Sequence, residues 1–195
     1  NITITEGDIL LDGISVVKEP IVCKRKMAYV PDTPRLEEYM TGMQYLNFVC
    51  DIYQISAKER KQNIERLIHA FQMEPHISGL ISSYSHGMKQ KVAVIAAFSH
   101  NPKLLVLDEP FVGLDPEAFI ALKEQMKMLC RKGSSILFSS HILDVVEKLC
   151  NIISIIKDGR LLYSGTTEEL IGVEGLEEAF MELNSNESFD PSIEK

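Results

Sequence analysis

Positive charge, paired cysteines and long apolar runs are all scarce in this sequence of 195 residues. Lysine and arginine number 20 against 28 acidic residues, a formal net charge of −8. A general nucleic-acid binder neutralises phosphates with a basic face, which this balance makes hard to assemble, so no nucleic acid is expected among the partners. The four cysteines, Cys23, Cys50, Cys130 and Cys150, stand far apart, with no Cys-x-x-Cys pair and no histidine nearby at zinc-ligand spacing. Zinc binding by such a pair is therefore excluded, and buried thiols in a reducing cytosol are expected. The most apolar stretches, Leu104–Leu107 and residues 92–98, are interrupted or soon followed by polar residues. Neither approaches the roughly 20 residues that a membrane span needs, so any membrane role is peripheral.

What is present is an ordinary globular composition, 45% hydrophobic and 25% charged, enough for one sizeable core with a subdomain. The chain opens at Asn1 rather than methionine and runs directly into structured-looking sequence without a signal peptide, which predicts a fragment, a cleaved product or a truncated chain. Short strands are predicted at residues 8–11 and at Met27–Val30 before Pro31. Residues 39–98 read as helical: Ser56 and Glu59 form a capping-box pair, and Ile64, Leu67, Ile68 and Phe71 then recur on one helical face. From Leu104 strands and helices alternate, with strands at Leu104–Leu107, at residues 136–138 and near Ile152 and Leu161, and helices from Pro116 and Ile142.

That alternation predicts an α/β fold with a mostly parallel sheet covered by helices, whose ligand sites gather at the carboxyl ends of strands. The helix after Asp115 is well punctuated, with Asp115 as N-cap, Pro116 in the first turn, Phe119, Leu122 and Met126 on one face, and Gly133 beyond the end. Residues 184–195 are polar and serine-rich and are expected to fray.

Leu104-Leu105-Val106-Leu107-Asp108-Glu109-Pro110 sets two carboxylates at the tip of a strand too apolar to be exposed. They repel unless a cation or a hydrogen-bonded water stabilises them, and Mg²⁺ held with help from Asp108, beside a water polarised by Glu109, meets that need. The plainer alternative is a core strand ending in an acidic turn. Gly113-Leu114-Asp115-Pro116 follows at once, and Ser139-Ser140-His141 ends the next strand. A histidine there can donate to a terminal phosphate, although a lone histidine is more often a surface or helix-start residue. Upstream, Tyr84-Ser85-His86-Gly87-Met88-Lys89-Gln90 opens a helix whose free N–H groups, hydroxyl and dipole suit a phosphate. Simple capping by Ser85 is the alternative there.

Together these motifs resemble the nucleotide-binding subunit of an ATP-binding cassette (ABC) transporter, over almost the whole chain from Asp8 to residues 176–183. Leu104 to Glu109 resembles the Walker B strand, Gly113 to Pro116 the D-loop, His141 the switch histidine, Ser85 to Gly87 the signature motif, and Tyr29-Val30-Pro31-Asp32-Thr33-Pro34 the Q-loop region. The resemblance implies a P-loop NTPase-like fold lacking its N-terminal part. It divides the chain into a partial core with the Q-loop-like segment (residues 1–38), a helical signature subdomain (39–99), an α/β core (100–183) and a polar tail (184–195). It further implies ATP and Mg²⁺ as ligands and ATP hydrolysis coupled to transport. In the site, Glu109 and His141 would act in catalysis, Ser85, Gly87, Asp115 and Asp32 would bind nucleotide, and Asp108 would hold the metal. The implied partners are a second nucleotide-binding subunit, whose ATP the signature closes over, and a separate export-type integral-membrane permease. The implied location is the cytoplasmic face of the cell membrane.

Departures from the family pattern are informative. Asp32 stands where glutamine is usual, and His86 and Met88 replace a glycine and a glutamine of the signature. No glycine in the chain is followed by lysine, so no Gly-x-x-x-x-Gly-Lys-Ser/Thr loop occurs. The family places that loop just ahead of the strand at residues 8–11, so here it would precede Asn1. Without its N–H groups and lysine little holds the β- and γ-phosphates, and the 195 residues alone are expected to be inactive. A non-transport ATPase of the superfamily, from DNA repair or translation, is the alternative. The short helices between Asp32 and Ser85 speak against the long coiled coil of the repair heads, and a single acidic cassette is a poor match to the translation-associated ATPases.

Overall fold

The structure, a computed structural model, describes residues 6–171 and 175–185. The chain falls into two compact units, the first ending at Ser139 and the second beginning at Ser140. The expected frayed tail lies outside the described residues from 186 onward.

The first unit begins with a small antiparallel hairpin, β1 (Leu10–Leu11) and β2 (Ile14–Ser15), followed by a short helix α1 (Pro20–Arg25). Its centre is a three-stranded parallel sheet of β3 (Met27–Val30), β4 (Leu104–Leu107) and β5 (Ser135–Phe138), in that spatial order. Parallel neighbours need long crossovers, and the chain supplies them as helices. Between β3 and β4 lie α2 (Gly42–Ile52), α3 (Ala57–Ala70) and α4 (His86–Ser99), and between β4 and β5 lies α5 (Pro116–Arg131). α4 packs on β3 and α5 on β5. Strand alternation then decides exposure. Ala28, Val30, Leu105 and Leu107 are buried, whereas Tyr29 and Leu137, which share a cross-strand row through Val106, are 61% and 63% exposed.

α4 is the spine of this unit. Residues 92–99 are all buried, as expected of a helix that is apolar on every side and packed by α2, α3 and β3 at once. α2 starts on a reciprocal capping box, Thr41 Oγ1 accepting from the Gln44 N–H at 3.2 Å and Gln44 Oε1 accepting from the Thr41 N–H at 2.8 Å. The box expected at Ser56 forms in half. Ser56 Oγ accepts from the Glu59 N–H, but the Glu59 carboxylate accepts from the serine's own hydroxyl at 2.7 Å rather than from the Ser56 N–H. Cys23 and Cys50 are buried as expected and Cys150 is half-buried, but Cys130 lies exposed on α5, one position past the buried Leu129, so its thiol faces outward.

The second unit comprises α6 (Leu143–Leu149), β6 (Ile152–Lys157), β7 (Arg160–Thr166), α7 (Thr167–Ile171) and α8 (Leu176–Ser185). Here the chain departs from the mostly parallel pattern, because β6 and β7 pair antiparallel. The two residues joining them, Asp158 and Gly159, both have positive φ (49° and 74°), the signature of a tight turn that reverses the strand at once. Ile153, Ile155 and Leu176 form the buried centre, with Leu143, Val146, Leu162 and Phe180 against it.

Candidate functional site

The end of β4 is fixed from both sides. The Asp108 N–H donates to the Val30 carbonyl at 2.9 Å, and the Ser139 N–H donates to the Leu107 carbonyl at 3.0 Å, so the ends of β3, β4 and β5 are locked together. Asp108 and Glu109 emerge half-buried at the carboxyl end of the parallel sheet, where α/β folds place ligands. Glu109 has φ +44°, a left-handed conformation that costs a side-chain-bearing residue about 1–2 kcal/mol. The turn is held in that state by long-range bonds: the Glu109 N–H donates to Ser139 Oγ at 3.0 Å, and the Ser139 hydroxyl donates to Asp108 Oδ1 at 2.6 Å. Thus a hydroxyl, as well as any cation or water, answers the charge on the Asp108 carboxylate. Ser139 stands in the run quoted for its histidine, Ser139-Ser140-His141, with no role of its own there. A serine two places before a histidine carries no signal until tertiary structure brings it to Asp108.

The start of α4 is built locally. Ser85 is the N-cap, its Oγ accepting from the Met88 N–H at 3.3 Å, so the capping reading of Ser85 is realised. Just before it, buried Tyr84 donates its hydroxyl to the carbonyls of His76 and Gly79 at 2.7 and 3.1 Å, anchoring the approach to the helix. Gly87 is required by close approach: a Cβ there would meet the Gly113 carbonyl oxygen at 2.7 Å, nearer than such contacts allow. The turn after β4 and the start of α4 therefore touch backbone to backbone. A second link joins them, Lys91 on α4 reaching Asp115 at 2.5 Å. Asp115 is also the N-cap of α5, accepting from the Ala118 N–H at 2.8 Å. The bond from Lys91, and then that from Ala118, hold its carboxyl below the usual carboxylate range.

Asp32 lies exposed in the turn after β3 and lines, with Asp108, one cleft of about 710 Å³ in the first unit. Aromatic and small residues, Tyr45, Tyr53, Ala93, Ala97 and His100, also line it. His100 stacks on Tyr53 with ring centroids 3.6 Å apart, and its Nε2 lies 3.3 Å from the Met27 carbonyl. Burial pushes the imidazole pKa down and the Tyr53 phenol up. One turn beyond Gly87, Gln90 is fully buried with neither amide atom hydrogen-bonded, a second residue that motif spacing did not single out.

Within the first unit the fold thus brings Asp108 and Glu109 to one strand end, sets Gly87 against Gly113 and Lys91 against Asp115 at the start of the helix that Ser85 caps, and places Asp32 in a cleft shared with Asp108. His141 belongs to the second unit, where it is exposed just ahead of α6. Among the described residues no three His, Cys, Asp or Glu side chains gather as a metal cage. Asp108 alone is still a fit for Mg²⁺, a hard cation that takes oxygen ligands and is commonly held by one or two carboxylates, waters and substrate phosphates.

The family model described as ABC transporter matches residues 1–112. Among curated relatives, the ABC-type transporter ATP-binding protein EcsA of Bacillus subtilis is 34% identical over 177 residues, covering 91% of this chain and 72% of that protein. NatA, an ABC transporter ATP-binding protein of the same organism, is 33% identical over 85% of this chain and 68% of its own. The linearmycin resistance ATP-binding protein LnrL, also of Bacillus subtilis, is 30% identical over 90% of this chain and 60% of its own. A solved structure described as the ATP binding subunit of an ABC transporter superposes with a TM-score of 0.88 at 34% identity, covering 92% of this chain and 77% of that one.

Proposed function

The chain belongs to the ABC transporter ATP-binding family, and from that premise we propose that it binds and hydrolyses ATP to drive transport by a separate membrane permease, through closure of a dimer of two such subunits. The observation that carries this reading is the cross-strand clamp on Asp108 and Glu109, together with the contact between Gly87 and Gly113 that ties the signature-like helix to the same turn. Glu109 accepts a hydrogen bond from the attacking water and draws off its proton as the oxygen approaches the terminal phosphorus. Asp108 would supply a ligand oxygen for Mg²⁺, which would neutralise charge on the β- and γ-phosphates. His141 donates to the terminal phosphate as charge develops on it.

Ser85 and Gly87 present the N-terminus of α4, 14 residues long, to the nucleotide held by the partner subunit, and Asp115 lies at that interface. Asp32 senses the phosphate from the cleft it shares with Asp108. Residues 39–99 act as the signature subdomain and residues 100–183 as the α/β core. Among the described residues no helix is long and apolar enough to cross a membrane. The proposed location is accordingly peripheral, at the cytoplasmic face and against the permease. A polypeptide of these 195 residues alone, having no Gly-Lys pair, turns over ATP poorly.

The test is Glu109→Gln in the full gene product. ATP binding is expected to persist while hydrolysis falls by about 100-fold or more, because general-base assistance is lost and the phosphate contacts remain. Turnover at the parental rate would remove the role given to Glu109. Comparing ATP turnover by the 195 residues with that by a version extended upstream tests the second claim, and equal rates would overturn it.

A further inference from the structure

We infer that Ser139 is a positioning residue for hydrolysis, holding both carboxylate-bearing residues at the end of β4 through one hydroxyl. This rests on the reading of Asp108 and Glu109 given above. The geometry singles out this residue because its backbone and its hydroxyl together bind three consecutive residues at the end of β4, Leu107, Asp108 and Glu109. Its N–H is spent on the Leu107 carbonyl at 3.0 Å, which fixes where its Cβ lies. From there Oγ accepts from the Glu109 N–H at 3.0 Å and donates to Asp108 Oδ1 at 2.6 Å. A hydroxyl is the smallest group that can accept on one side and donate on the other, so alanine loses both bonds and cysteine offers only weak ones.

Two consequences follow for the chemistry. Glu109 has φ +44°, and its N–H bond to Ser139 is a tertiary restraint holding the turn there, so the direction in which the Glu109 side chain leaves the backbone depends on Ser139. The donation to Oδ1 is charge-assisted and fixes the rotation of the Asp108 carboxylate, which would set how that carboxylate meets a bound cation. A local serine turn gives neither result, because Ser139 is 30 residues away from Glu109 and 31 from Asp108 in the chain. Preorganisation of this kind raises turnover without strengthening substrate binding.

The experiment compares Ser139→Ala, Ser139→Thr and Ser139→Cys in the full gene product, with Glu109→Gln as reference. Backbone amide exchange at Glu109 is followed by NMR, kcat and KM for ATP by steady-state kinetics, Mn²⁺ affinity by paramagnetic titration, and folding by thermal melting. Ser139→Ala is expected to speed Glu109 amide exchange and to lower kcat about tenfold or more with KM unchanged, the order of one charge-assisted hydrogen bond. Mn²⁺ binding should weaken, Ser139→Thr should restore all three, and Ser139→Cys, which fills the serine's space, should show the alanine losses even where the alanine variant folds poorly. Unchanged Glu109 exchange and unchanged kcat in the alanine and cysteine variants would overturn the inference. So would equal losses in the threonine and alanine variants, since bulk rather than the hydroxyl would then be responsible. If Glu109→Gln keeps its turnover while Ser139→Ala still frees the Glu109 amide, the hydrolytic role of Glu109 fails and the positioning by Ser139 stands.

Discussion

The turn after β4 and the start of α4 meet at Gly113 and Gly87, yet they are built in opposite ways. At the start of α4 the restraints are local: Ser85 caps a backbone N–H three residues on, and Tyr84 ties back to His76 and Gly79 within eight residues. At the end of β4 they are remote, with bonds from Asp108 to Val30 and from Glu109 to Ser139 crossing the sheet. Local capping rides with its helix, whereas the β4 turn holds its left-handed glutamate only while three strands stay in register. The two should therefore fail differently when perturbed.

The largest effect is expected where they touch. Gly87→Val drives a side chain into the Gly113 carbonyl, and we expect a loss of about 1–3 kcal/mol in chemical-denaturation stability, the usual range for overpacking. ATP turnover should fall with it, and an unaltered denaturation midpoint would mean that the contact is slack. Asp115→Ala tests the second link. Removing the N-cap of α5 and the partner of Lys91 should cost about 1–2 kcal/mol near neutral pH. The sign with pH is fixed, because the folded carboxyl is held below its ordinary value. The stabilisation is complete above the unfolded pKa of about 3.9 and is lost as pH falls through the folded one. Wild type and variant should thus converge under acid, and a gap that persists there would assign the effect to something other than the carboxylate.

Gln90→Met separates stability from function within α4. Its amide is buried without partners, so an apolar side chain of similar size should stabilise the fold by on the order of 1 kcal/mol in a denaturant titration. A destabilised variant would show that the amide has an interaction worth keeping. The smallest effect is expected at His100. Burial lowers its folded pKa, so the unfolded chain takes up the proton first, and stability erodes as pH falls below the unfolded value of about 6.5. His100→Phe retains a ring against Tyr53 and should flatten the stability profile below about pH 6.5. An unchanged slope would place the titrating group elsewhere.

Much of this was legible in the residues themselves. Asp115-Pro116 announced the start of α5, and the apolar run Leu104–Leu107 announced a buried strand with carboxylates at its end. The Asp158-Gly159 turn is equally local, and it sets the antiparallel pairing of β6 and β7. Ser139 and Gln90 were not legible in this way. Neither belongs to a spacing that chemistry requires, and the importance of each comes from burial or from a partner about 30 residues away.

By itself, then, the sequence determined which residues cap, which run apolar and which carboxylates stand together, because capping, periodicity and motif spacing act within a few residues. Tertiary structure alone decided that Ser139 clamps Asp108 and Glu109, that Gly87 must be glycine because Gly113 lies against it, and that Lys91 reaches Asp115. Those outcomes depend on strand register and helix docking, which bring together groups that sequence distance keeps apart.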